Sequence, residues 1–277
     1  MPDYDPIYLT FNEKPAAILN GMRSVLQQRG QVESSLKKRR YIPLILFLAG
    51  FPFILVDVVI RLLGYSVCVF SLAAPAFWLA ALLAYIKLRR TRTKQIPPQY
   101  QTARQILYTL RDDVAPGRNF FGHLDLTGAM QPEKVQREVP NALGLVVQYF
   151  RDEWLSLKAK LYDGNMLRMS ASERNKVRKG YWKRSTISGK NKWKAPKFKS
   201  GGQELKVRIS VNPQAYEIVN TGQASGVQVG AYTISALDTS GGIITLSADS
   251  MNKTVEAGDV LGVLRYAYDL LKPKGAQ

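Results

Sequence analysis

The sequence predicts an α+β membrane protein: a two-helix transmembrane hairpin that carries a cytoplasmic, mainly antiparallel β domain with flanking helices. Three observations carry this expectation. Residues 41–60 and 66–86 are two almost uninterrupted apolar runs. Basic residues crowd the outer ends of both runs and are nearly absent between them. Beyond residue 119, period-two alternation recurs, with glycine-containing turns between the alternating stretches. The expected segments are an N-terminal cytoplasmic part, partly helical, over 1–40; the hairpin over 41–86; a juxtamembrane linker and amphipathic helix over 87–118; and a basic β-rich domain ending in a helix over 119–277.

Residues 1–14 are polar and aromatic without a clear period. From Pro15 the spacing of Ile18, Leu19, Met22, Val25 and Leu26 predicts a helix, with Gly30 as a candidate interruption. The two apolar runs follow. At ~1.5 Å per residue each reaches roughly 30 Å, the thickness of a hydrocarbon core. Lys37, Lys38, Arg39 and Arg40 precede the first, and Lys87, Arg89, Arg90, Arg92 and Lys94 follow the second, whereas the turn carries Arg61 alone. That asymmetry predicts two passes with both termini cytoplasmic. Asp57 is the one charge inside either run. It reads either as an intramembrane ion or proton relay or as an interfacial acid paired with Arg61, four residues on along the same helix face. The shallow depth and the available partner favour the second reading.

After Pro97-Pro98, the residues Tyr100, Ala103, Leu107, Leu110 and Val114 predict an amphipathic helix. Phe120–Gly128 predicts a strand with His123 and Asp125 on one face. A His and an Asp side by side invite an acid–base reading, but no nucleophile, second carboxylate or phosphate-binding loop accompanies them, and a solvated strand face is the simpler expectation. Residues 129–143 predict loop or a short helix. Leu155, Leu157, Ala159 and Leu161 alternate with polar residues up to Asp163-Gly164, a hairpin-turn signal; Leu167 and Met169 resume beyond it. Ser170–Glu173 fits a helix capping box or a strand end. Leu205–Val211, Val227–Leu237 and Ile243–Leu246 predict further strands, and Asp259–Leu271 a final helix stopped by Pro273.

The chain's formal net charge is +18. Residues 151–200 hold much of it, with 15 Lys and Arg against 4 Asp and Glu. The candidate contact residues are Arg174, Lys176, Arg178, Lys179, Trp182, Lys183, Arg184, Lys190, Lys192, Trp193, Lys194, Lys197 and Lys199. Bases interleaved with aromatic residues fit anionic lipid headgroups, nucleic acid or an acidic protein partner, and equally a solvated hairpin whose lysines guard a strand edge. With one Cys and one His, no disulfide framework and no multi-His or Cys-based metal site forms within one chain. No cofactor is predicted, and no catalytic signature is found. The expected role is a membrane anchor or scaffold that presents a basic domain to a partner or to the membrane surface. The alternatives are an oligomeric, channel-like or membrane-perturbing component, built on a homo-oligomer through the small residues of the second run, and a membrane-tethered nucleic-acid-binding protein.

Overall fold

The computed structural model describes residues 6–39, 41–63, 69–90, 96–141, 144–219 and 225–274. Two compact units share them: one comprises residues 1–21 with 95–277, the other residues 22–94.

The chain opens on β1 (Tyr8–Glu13) and then α1 (Pro15–Arg39). The helical unit continues with α2 (Ile42–Ala49), α3 (Phe51–Leu62) and α4 (Val69–Arg90). Here the expected two-pass hairpin is corrected. Among the described residues, no helix is long and apolar enough to cross a membrane. The first apolar run is not one helix. Pro52 has no N–H to donate to the Leu48 carbonyl, so the ladder breaks. Gly50 bonds back to Phe47 in a tighter turn, and the Trp78 indole donates to the Phe47 carbonyl at 3.2 Å. A Cβ on Gly50 would stand 2.6 Å from the Trp78 Nε1, so glycine is what lets the indole in. The pieces, 8 and 12 residues long, reach only about 12 and 18 Å. Both pack on α4, where Phe47 and Phe51 surround Trp78 and Phe53 stacks on Phe77. Leu44, Ile45, Leu48, Leu55 and Leu82 are exposed. The integral anchor, the two-pass topology and the channel-like alternative fall with the spans. The side chains of Asp57 and Arg61 lie outside the described part of the structure.

The other unit is α+β. After α5 (Pro98–Leu110) come β2 (Phe120–Asp125), β3 (Val135–Pro140), β4 (Val146–Lys160), β5 (Met166–Arg178), β6 (Tyr181–Arg184), β7 (Asn191–Lys194), β8 (Lys197–Ser210), β9 (Tyr216–Ile218), β10 (Gln228–Val229), β11 (Tyr232–Asp238), β12 (Ile243–Ser250), α6 (Ala257–Tyr268) and β13 (Leu271–Pro273). Among the described residues the main sheet has nine strands. Eight run in the order β1-β2-β4-β5-β8-β12-β11-β10, and β3 adds to β4. Every pairing is antiparallel. Pairs β6–β7 and β9–β13 stand apart.

The core forms where apolar strand residues meet two helices. Leu155, Leu157, Leu167, Met169, Leu205, Val207, Ile209, Leu246 and Ala248 are buried. In the same unit Tyr100, Ala103, Ile106, Leu107 and Leu110 of α5, and Val260, Val263, Leu264 and Ala267 of α6, are buried. These are the stripes that three- and four-residue spacing sets on one helix face. At the hairpin turn after β4, Gly164 has φ +86, a conformation glycine adopts without a Cβ penalty.

Two bulges set which residues face the helices. Glu153 pairs Ser172 and Leu155 pairs Ala171, leaving Trp154 as the extra residue of β4. Gly201 plays the same part in β8, between Ser200 opposite Asn175 and Gly202 opposite Arg174. Each extra residue shifts the in/out phase by one. The extra residue at Trp154 brings Asp152 onto the covered face, and the one at Gly201 brings Ser200 and Phe198 there. Glu173, Gln203 and Ser250 reach it by simple alternation, so a polar row forms: Asp152 opposite Glu173, Glu173 opposite Gln203, and Gln203 opposite Ser250.

Candidate functional site

The basic stretch of the sequence becomes a continuous β structure. Strand β5 carries Arg174, Lys176 and Arg178, and β8 carries Lys197 and Lys199. Lys179 and Gly180 link β5 to the separate β6–β7 hairpin. Lys183 and Arg184 lie on β6, Lys192 and Lys194 on β7, and Lys190 in the connection. That connection closes by a 2.9 Å bond from the Ser185 N–H to the Lys190 carbonyl, while Arg184 Nε caps the Gly189 carbonyl at 3.1 Å.

Register brings like charges face to face. Lys176 stands opposite Lys199 and Arg178 opposite Lys197, and Lys183 opposite Lys192. Directly opposed like charges destabilise an antiparallel pair. Elsewhere this unit matches its charges: Arg174 bonds Asp249 at 2.6 Å, Lys179 reaches Glu138 at 3.2 Å, and Arg151 reaches Glu204 at 3.1 Å. Among the described residues, no carboxylate pairs with Lys176, Arg178, Lys183, Arg184, Lys190, Lys192, Lys194, Lys197 or Lys199.

Aromatic rings are set among these cations. Trp182 pairs with Trp193 across the hairpin, with ring centroids 5.5 Å apart and planes at 59°. They remain 67% and 52% exposed, so each ring keeps open surface. Gly180 makes room for Trp193, since a Cβ there would run into its ring. At the tip Ile187 is 98% exposed. The Tyr149 ring lies between Arg137, 4.4 Å from its centroid, and Lys176, at 5.1 Å, and Arg178 lies 4.9 Å over Tyr181. The sequence pattern omits Arg137 and Tyr149 from this surface. They precede the first of the candidate bases, Arg174, by tens of residues in the chain and join that surface only because β3 pairs with β4 and β4 with β5, which sets Arg137 opposite Tyr149 and Tyr149 opposite Lys176; strand register, which local composition does not encode, is the missing signal.

His123 and Asp125 are placed differently from a catalytic pair. His123 stacks on Tyr8 with centroids 6.0 Å apart, and its Nε2 stands 4.0 Å from Glu153 Oε1. Asp125 is engaged elsewhere: it accepts bonds from the Thr127 hydroxyl at 2.6 Å and from Lys134 Nζ at 2.9 Å. Lys134 also reaches Asp152 Oδ1 at 2.6 Å, so one ammonium is shared by two carboxylates. Burial opposes the charges of Asp125 and Lys134, but the bonds each gains outweigh it, holding the Asp125 carboxyl below its ordinary range and the lysine above its own. For Asp152 burial prevails and pushes its carboxyl up despite the lysine. No group of three or more His, Cys, Asp or Glu able to hold a metal occurs among the described residues.

The chain matches no family model, no curated protein and no solved structure.

Proposed function

We propose that this chain is a binding protein rather than an enzyme, and that the β6–β7 hairpin with the adjoining ends of β5 and β8 grips single-stranded nucleic acid. The observation that carries the reading is the ladder of opposed, carboxylate-free bases around an open tryptophan pair. Cations held in register against their own repulsion gain when a polyanion arrives, because phosphates replace water and release their counterions. Open indole faces add a stacking platform that accepts any unpaired base. A duplex hides its base faces, so the tryptophans favour a single strand.

A fluorescein-labelled oligothymidylate, titrated by anisotropy at several salt concentrations, tests the reading on the full chain. Binding should weaken steeply with salt. The double variant Lys183→Ala, Lys192→Ala should flatten the log–log salt slope by about 1.4, from ~0.7 per phosphate contact. Trp182→Ala should cost roughly 1–3 kcal/mol of affinity. Vesicles rich in phosphatidylserine, a polyglutamate and a measurement of self-association cover the other expected partners: anionic headgroups, an acidic protein and a second copy. Capture by any of these, with no binding to the oligonucleotide at low salt, overturns the proposal.

A further inference from the structure

Under the start of α5, between the loop that follows β2 and the loop that follows β12, lies a cavity of about 600 Å³. Its volume is in the range of small-molecule sites. Its floor is part of the inward-facing polar row, represented by Asp152, which the Trp154 bulge turns in, and Glu173. Trp154 and Phe198 line it, and Pro97, Pro98, Leu126 and Met130 contribute apolar wall.

The charge balance of this floor differs from that of the molecule. Of the residues that line it, Asp152 and Glu173 carry carboxyls and the exposed Lys253 an ammonium; Asp152 is bonded from behind by Lys134, which it shares with Asp125. Glu173 is left with neutral partners: Asn175 Nδ2 at 3.0 Å and Gln99 Nε2 at 3.5 Å. Among the described residues no cation pairs with it. Beside it Asn175 is 2% exposed, and its Oδ1 has no donor. The indole of Trp154 is fixed by donating to Gln203 Oε1 at 3.0 Å, and Gln203 in turn donates to the Lys253 carbonyl at 3.0 Å, so the aromatic wall is held in place before any ligand enters. The floor presents a carboxyl without a cation and acceptors, the walls present aromatic and aliphatic surface, and the exposed Lys253 completes the lining.

We propose that this cavity binds a small organic cation, an amine or guanidinium on an apolar body, with its charged head on Glu173 and its body against Trp154 and Phe198. A carboxylate without a cation attracts the head, and ring faces favour a cation over a neutral group. Glu173 repels an anionic head, and the exposed Lys253 is the lining group that would attract one.

The test is calorimetric titration of the full chain at pH 7.5 with phenethylamine, 2-phenylethanol and phenylacetate, which share a body and differ in charge. Phenethylamine should bind at least about tenfold more tightly than the alcohol, the scale of one charge-assisted contact, and phenylacetate should not bind. Glu173→Gln should remove most of that preference. Comparable binding of amine and alcohol, tighter binding of the acid, or no uptake of the amine at millimolar concentration overturns the proposal. The wild-type comparison decides the matter even where the variant fails to fold. Oligonucleotide binding to the hairpin is read separately and does not enter the result.

Discussion

At the scale of single residues, the instructive group is Glu173. Burial raises its carboxyl above the ordinary range, Asn175 offsetting part of that. A carboxyl whose value rises on folding is held more easily protonated. Its penalty is therefore absent below the ordinary carboxylate range, grows as pH rises through that range toward the raised value, and is full above it. Glu173→Gln should raise the melting temperature at pH 8 and leave it unchanged near pH 4, as scanning calorimetry across pH would show. Gly202 makes a different demand. Its φ is +95, and a Cβ there would run into the Ser250 backbone carbonyl. Gly202→Ala should destabilise by on the order of 3 kcal/mol in urea unfolding, from backbone strain and forced displacement together.

At the scale of elements, the hairpin and the helix break follow from few residues. Lys183→Glu, placed opposite Lys192, replaces a repulsive cross-strand pair with an attractive one. It should stabilise the hairpin by about 0.2–1 kcal/mol while weakening oligonucleotide binding, an opposition that anisotropy and thermal unfolding together would reveal. Gly50→Ala should displace the Trp78 indole from the Phe47 carbonyl and lower stability by roughly 1–3 kcal/mol. Trp78→Phe should lose only the bond, at about 0.5–1.5 kcal/mol. The legibility of the elements followed the same logic. Strands with strict alternation, such as Leu205–Ile209, and helices with one clean stripe, such as that of Tyr100–Leu110, were readable because burial alone dictates their pattern. Of the acidic floor, Glu173 follows by twos from Met169 and Ala171, but Asp152 was not readable. Counted by twos from Leu155 and Leu157, Asp152 falls on the solvent face with Ser156 and Lys158; only the extra residue at Trp154 turns it inward. Strand β1 was hidden because its partner, β2, lies about a hundred residues away and only Phe11 within it is buried. The apolar runs misled for a related reason. A hydropathy sum counts Gly50 and Pro52 as two residues among twenty, whereas Pro52, without an N–H, interrupts the hydrogen-bond ladder there.

At the scale of the whole molecule, charge and connectivity matter most. The net charge of +18 sets a field that should speed capture of anionic ligands. Stopped-flow association with an oligonucleotide should therefore slow steeply between low and physiological salt, as the screening length shrinks to about 8 Å. Connectivity has a quieter effect. The chain leaves the β-rich unit inside α1 and re-enters it before α5, while β1 is paired to β2 along six residues, from Tyr8–Asp125 to Glu13–Phe120, and Ile7, Phe11 and Ile18 are buried. The covalent link through the helices is thus not the only thing joining the two ends of the molecule. A protease site placed anywhere in residues 41–90 should yield two fragments that migrate as one species on a native gel and part only in denaturant. The same pair, expressed as separate polypeptides, should reconstitute: the protein carries a ready-made place to be split.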